Sequence, residues 1–182
     1  MVEEDDRRII EQVLAGSESA FRQILDLHTQ RIFNYVRRMT SNSMEAEDIA
    51  QETFIRFWTS RDRFDPDRVK LTTWLHRIAH NLCIDYFRRR QQEEKQLPAP
   101  SDSQSSQDSP GTDYELSIRA AVVHKALMAL PERQRSAIVL CHYQNFSQQD
   151  AAHILALSVD ALESLLRRGR SKLKQILAEE LK

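Results

Sequence analysis

The chain has 182 residues, with 26 Lys+Arg against 27 Asp+Glu, 3 Gly, 5 Pro and 2 Cys. So little glycine, against roughly 7% in ordinary soluble proteins, excludes the Gly-rich phosphate turns of a Rossmann or P-loop enzyme and the many tight turns of an all-β chain. A net charge of −1 gives no sign of a polyanionic partner, and Cys83 and Cys141 are too few for a disulfide scaffold, which points to a reducing cytoplasm.

In chain order, Asp5 to Ala15 is expected to form a short helix, with Ile9, Ile10, Val13 and Leu14 on one stripe. Ser17 can N-cap a second helix to about Thr40. Ser43 can cap a third to about Ser60, burying Ile49, Ala50, Thr53, Phe54, Phe57 and Trp58. Residues 61–71 read as a charged loop pinned by Pro66. Thr72 can cap a long helix to about Gln92. Its apolar stripe includes Trp74, Leu75, Ile78 and Leu82, and its other face shows His76, Arg77, His80, Asn81, Arg88 and Arg89.

Gln91 to Asp113 holds three of the five prolines, five serines and almost no large apolar residue. Such a segment cannot bury enough apolar surface to offset its ordering entropy. The fold expected is therefore all-α, two small helical domains at 1–92 and 113–182 joined by a flexible acidic linker at 93–112. After the linker, Ser117 to Ala129 is helical, and Pro131 is placed as a first-turn proline for a helix to about Tyr143. Ser147-Gln-Gln-Asp150 resembles a capping box for a short helix ending near Leu155. Ala156-Leu157-Ser158 forms a turn with Ser158 as N-cap, and a last helix runs from Val159 to about Glu180.

No apolar run approaches the roughly 20 residues that span a bilayer, and the N-terminus is acidic rather than signal-like. A cytoplasmic chain without direct membrane insertion is expected.

Split by segment, the charge is −4 over 1–60, +4 over 61–90, −5 over 91–115 and +4 over 116–182. Two basic stretches are thus separated by an acidic one, which is informative about partners where the total is not. The second basic stretch ends in a short helix, a turn and a longer helix, the spacing of a helix-turn-helix. Arg167, Arg168, Arg170, Lys172 and Lys174 crowd the longer helix, where they can neutralise phosphates or read guanine edges. A solvated amphipathic helix in a bundle explains the same pattern. In the first basic stretch, Arg77, Arg88, Arg89 and Arg90 accompany Trp74, Tyr86, Phe87 and the nearby Phe64. Aromatics beside a basic face can stack on unpaired bases, although Trp74, Tyr86 and Phe87 fall on the buried stripe. Asp48, Gln51, Glu52 and Arg56 share a face of the third helix, an ordinary solvated face by composition alone. His76, His80 and Cys83 at i, i+4 and i+7 could hold a metal. With no fourth ligand at motif spacing and no HExxH, the expectation is polar-face histidines, a buried cysteine, and neither metal nor cofactor. No catalytic motif occurs, so the chain is not expected to be an enzyme.

Taken together, AEDIAQETFIRFWTS (46–60), TTWLHRIAHNLCIDYFRRR (72–90), ALMALPERQRSAIVLCHYQNFSQQDAA (126–152) and LSVDALESLLRRGRSKL (157–173) resemble the extracytoplasmic-function (ECF) sigma factors of bacterial RNA polymerase. They match regions 2.2, 2.3–2.4 and 4 in order. The resemblance implies that Asp48, Gln51, Glu52 and Arg56 meet the β′ clamp helices of core RNA polymerase. It implies that Phe64, Arg77, Asn81, Arg88 and Arg89 handle a flipped base and backbone of the promoter's minus-10 element. It assigns Ser158, Ser164, Arg167, Arg168 and Arg170 to minus-35 DNA, with the β flap as a further polymerase contact. An anti-sigma factor is the other partner implied. Many relatives carry Gly in the region 4 turn and a basic residue where Glu163 stands, and often Arg where Leu165 stands. Glu163 could instead accept from cytosine N4. Two other functions fit parts of the pattern: a stand-alone helix-turn-helix transcription regulator, and a metal or redox sensor using His76, His80, Cys83 and Cys141.

Overall fold

The computed structural model describes residues 2–96 and 114–180, and among them every regular element is helical. From residue 97 the expected linker lies outside the described residues. The first unit holds α1 (Val2–Leu14), α2 (Glu18–Thr40), α3 (Ser43–Thr59), a 3-10 turn at Arg61–Arg63 and α4 (Leu71–Gln96). The second holds α5 (Tyr114–Met128), α6 (Glu132–Ile138), a π turn at Val139–Tyr143, α7 (Gln148–Ile154) and α8 (Val159–Glu180).

Apolar residues at helical spacing build both cores. In the first unit α2, α3 and α4 pack on one another, and Ile24, Ile32, Phe57 and Leu75 are fully buried between them. Each such side chain stabilises the fold by roughly 2 kcal/mol through transfer from water. In the second, α5, α6 and α7 all pack on α8, closing over Leu127, Leu140, Ile154 and Leu162. Gly169 permits the close approach of α8 to α6, since a Cβ there would stand 2.7 Å from Ile138 Cδ1.

Helix ends follow capping chemistry, with small corrections. Ser17 Oγ accepts from Ala20 N, as expected. At α3 the cap is Asn42, one residue before the expected Ser43, because its side-chain oxygen accepts from both Met44 and Glu45 N–H groups. The long α4 begins at Leu71 rather than after a Thr72 cap, and runs past residue 92 to Gln96. Pro131 is itself the N-cap of α6, at φ −53 and ψ 140. This helix ends at Ile138, and its continuation is a π turn in which Gln144 N bonds Val139 O. The Ser147 cap is formed: Ser147 Oγ accepts from Asp150 N at 3.0 Å and donates to its carboxylate at 2.8 Å. Ser158 Oγ accepts from Ala161 N at 3.2 Å.

The α7–α8 turn places Ala156 at φ 52. A left-handed backbone costs a Cβ-bearing residue roughly 1–2 kcal/mol, while glycine gives back part of that gain as unfolded-chain entropy. Ala156→Gly is therefore expected to raise stability by about 0.5–1 kcal/mol, read as a shift of the urea midpoint at unchanged slope.

Candidate nucleic-acid interface

The seven arginines and the asparagine expected to touch DNA or a partner protein are all reached by solvent, but not as one surface. On α3, Asp48 and Gln51 are exposed, and Glu52 pairs with Arg56 at 2.8 Å. Sequence reasoning missed what surrounds them. Met44 and Ile55 are 74% and 56% exposed, and helical spacing puts both beside Asp48, Gln51 and Glu52. Two large apolar side chains are thus left in water amid the carboxylates of this face. The isolated Ile within FIRFW was the available signal.

The loop after α3 is ordered by its own contacts. Arg61 lies over the Trp58 ring at 4.4 Å and donates to Trp58 O at 2.7 Å. Asp65 Oδ1 accepts from Asp67 N, and Asp67 pairs with Arg7 at 2.8 Å. Phe64, expected to meet a flipped base, is instead 4% exposed, with ring centroids 6.0 Å from Phe57 and 5.7 Å from Trp74. Its ring anchors the loop to the core, because no polar atom on it repays exposure to water. Arg63, Arg68 and Lys70 are the exposed cations of this loop.

On α4, Arg77, Asn81 and Arg88 fall on one helical row, and Asn81, Arg88 and Arg89 are exposed. Arg88 has only a 3.5 Å contact with Asp85. His76 and His80 do not share this surface as expected: they are 1% and 9% exposed. His76 Nδ1 donates to Thr72 O at 2.8 Å, and its ring meets Phe146 edge-on at 4.7 Å. His80 bonds Tyr35 Oη at 3.1 Å. Burial pushes both imidazoles down to about 4, with the Thr72 carbonyl opposing at His76 and Arg133 adding to the drop at His80. Cys83 is fully buried and its thiol is pushed far up by desolvation, so it is an inert core group. Among the described residues no three His, Cys, Asp or Glu side chains converge as a metal site. Nor is any described helix long and apolar enough to cross a membrane.

In the second unit the α8 arginines expected to read DNA separate. Ser164, Arg167 and Arg170 line a shallow depression of about 560 Å³ beside α7, together with Gln148, Asp160 and Glu163. Arg170 Nε donates to His142 Nε2 at 3.1 Å, which steadies its guanidinium. Arg168 lies on the other side of α8. It donates back to Ser164 O and borders a depression with Arg133, Pro131 and Leu130. Ser158 is exposed but occupied as the helix cap.

Comparison with known proteins places both units. The sigma-70 region 2 family matches residues 24–93, and the sigma-70 region 4 family matches residues 120–173. The chain is 32% identical to the ECF RNA polymerase sigma factor SigW of Bacillus subtilis, over 95% of this chain and 97% of that protein. It is 31% identical to the RNA polymerase sigma factor CnrH of Cupriavidus metallidurans, over 96% and 95%. The solved structure of CnrH in complex with the cytosolic domain of CnrY superposes with a TM-score of 0.74 at 29% identity, covering 96% of this chain and 97% of that one. RpoE of Bartonella quintana, solved with the anti-sigma factor NepR, gives 0.70 at 27% identity, over 87% and 96%.

Proposed function

The chain belongs to the extracytoplasmic-function group of the sigma-70 family, and from that membership we propose how its surfaces divide the work of starting transcription. It is an alternative sigma factor that binds core RNA polymerase and directs it to specific promoters. The observation that carries this reading is the coexistence, in one chain, of a region 2 unit with an acidic and apolar docking face and a region 4 unit with a basic helix-turn-helix. A stand-alone helix-turn-helix regulator has no use for the first of these.

The proposed division is residues 1–92 and 113–182 about a linker at 93–112, with the last turn of α4 reaching to Gln96 over the first positions of that linker. The α3 face of Asp48, Gln51, Glu52 and Arg56, extended by Met44 and Ile55, takes the β′ clamp helices. Arg77, Asn81, Arg88 and Arg89 hold the single-stranded minus-10 element: arginines carry backbone phosphate and Asn81 can bond a base edge. Phe64 serves by fixing the shape of the loop. The α8 face at Ser164, Arg167 and Arg170 reads minus-35 DNA in the major groove, with Glu163 available to a cytosine amine. The chain makes no covalent bond itself; the polymerase performs the chemistry. It works in the cytoplasm, where an anti-sigma factor holds it inactive.

In vitro transcription with core polymerase, followed by start-site mapping, tests the assignment. The wild-type chain is expected to give discrete starts. Asp48→Arg with Glu52→Arg is expected to reduce transcript by at least about tenfold, the scale of losing a complementary charge contact of over 1.4 kcal/mol. Undiminished transcription by the double variant would remove the α3 face from the polymerase contact.

A further inference from the structure

Helices α6 and α8 meet closely where Gly169 lies against Ile138. Arg170 is the next residue along α8, and His142 stands four residues beyond Ile138, in the π turn. That turn carries Gln144 inward and leaves His142 exposed. An exposed imidazole is thus brought to an exposed guanidinium, and Arg170 Nε donates to His142 Nε2 at 3.1 Å. The same guanidinium lies near Cys141, where it opposes the upward push that burial gives the thiol.

One hydrogen bond between two exposed side chains adds little to stability. Its effect is on direction. An imidazole accepts only at an unprotonated nitrogen, so His142 is neutral here and carries its proton on Nδ1. Of the five N–H groups of a guanidinium, His142 engages the one on Nε. Among the described residues nothing else takes a hydrogen bond from Arg170. The four N–H groups on Nη1 and Nη2 are left as the paired donors that suit a phosphate or a guanine edge.

The neutrality of the holder matters as much as its position. A carboxylate in place of His142 would also hold Nε, but it would cancel the charge that DNA attracts. The depression that Arg170 shares with Arg167 already contains Asp160 and Glu163. Among the described residues neither carboxylate forms an ion pair with either arginine. Glu163 lies two turns back from Arg170 along α8, on the same face. A freely swinging Arg170 could fold toward it and lose its outward charge.

We propose that His142 is a positioning residue for minus-35 recognition: it aims Arg170 at the duplex through Nε and leaves the guanidinium its whole charge. It acts through Arg170 rather than on DNA. The consequence for transcription rests on the sigma-factor reading; the aiming of Arg170 does not.

Full-length variants test this by transcription with core polymerase from a promoter with an intact minus-35 element and from one with that element scrambled. Both side chains are exposed, so every variant is expected to unfold at the wild-type urea midpoint. His142→Leu supplies no acceptor and is expected to lower the intact-to-scrambled ratio about threefold to tenfold, the range of one lost hydrogen bond. His142→Gln supplies a neutral acceptor and is expected to stay within about twofold of wild type. His142→Glu is expected to keep the bond but to lower the salt slope by about one, because the charge of Arg170 is cancelled. In an Arg170→Ala background, His142→Leu is expected to change nothing further. An equal loss in both backgrounds, or on both promoters, would make His142 a purely structural residue and overturn the proposal. So would a His142→Gln variant as impaired as His142→Leu.

Nitrogen-15 spectra of the free full chain decide the aiming apart from transcription. The Arg170 Nε–H is expected to give a resolved, slowly exchanging signal in the wild-type and His142→Gln chains, and to lose it in His142→Leu. A signal that His142→Leu leaves unaltered would overturn the proposal. If the wild-type chain drives no promoter-directed transcription with core polymerase, the sigma-factor reading fails, while the spectra still decide whether His142 holds Arg170.

Discussion

Acidification is expected to destabilise the folded chain steeply between about pH 6.5 and pH 4, because His76 and His80 sit neutral in the fold and are pushed down to about 4 by burial. In the unfolded chain both would titrate near 6.5. Above that pH neither state binds these protons, and the native stability is fully present. Below it the unfolded chain takes up two protons that the native chain refuses, so stability falls as pH falls. The slope is roughly 1.4 kcal/mol per pH unit for each histidine, flattening once the native imidazoles also protonate near 4. Over the window the pair is worth on the order of 5 kcal/mol, comparable with the entire stability of many domains.

The surroundings explain why no compensation is at hand. His76 faces Arg31, His28, Gln144, Tyr35 and Phe146, and His80 faces Tyr35 and Arg133, so no carboxylate waits to receive either proton. Urea unfolding at several pH values gives the slope directly. His76→Leu and His80→Leu should each flatten it by about 1.4 kcal/mol per pH unit. Wild-type and variant slopes that coincide would mean the imidazoles are solvated in the native chain.

Much of this architecture is legible in the sequence, for reasons that also mark where legibility ends. Helix positions follow from the 3.6-residue recurrence of apolar side chains, a property of each segment alone. Thus Tyr86 and Leu75 fall in the core as their spacing indicates. A single-helix reading assigns one buried stripe and one wet face. It fails on α4, which packs against α2 and α3 on one side and against α7 on another. His76 lies on that second buried side, where the contact that buries it comes from Phe146, seventy positions along, and His80 is taken up by Tyr35 of α2. Arg135 is buried for the same reason, since the carbonyl of Met39 that receives it comes from the opposed unit. Phe64 is a local failure of another kind. A loop aromatic carries no periodicity, so nothing in its neighbourhood distinguishes a base-stacking ring from an anchor.

The recognition helix supplies the second large effect. Arg167→Ala is expected to cost about 1–3 kcal/mol in minus-35 recognition, some tenfold to over a hundredfold, and to relax preference at one base pair. Arg168→Ala is expected to cost less and to weaken all promoters alike. The two residues are adjacent in sequence and equal in charge, so composition cannot separate them; the roughly 100° turn between neighbouring helical residues does. Arg167 opens onto the depression beside α7 with Ser164, Glu163 and Arg170, where a major-groove edge would lie. Arg168 donates back to Ser164 O and borders the α6 side, away from that depression, so on the proposed reading it would meet phosphate rather than a base edge. Transcription from a promoter set randomised over the upstream element, repeated at two salt concentrations, separates the cases. A base-reading contact changes the ranking of promoters, whereas a phosphate contact lowers the salt slope by about one and leaves the ranking intact. If Arg168→Ala re-ranks the promoters and Arg167→Ala does not, the groove-facing side of α8 is the opposite one, and the depression shared with Glu163 is not the reading face.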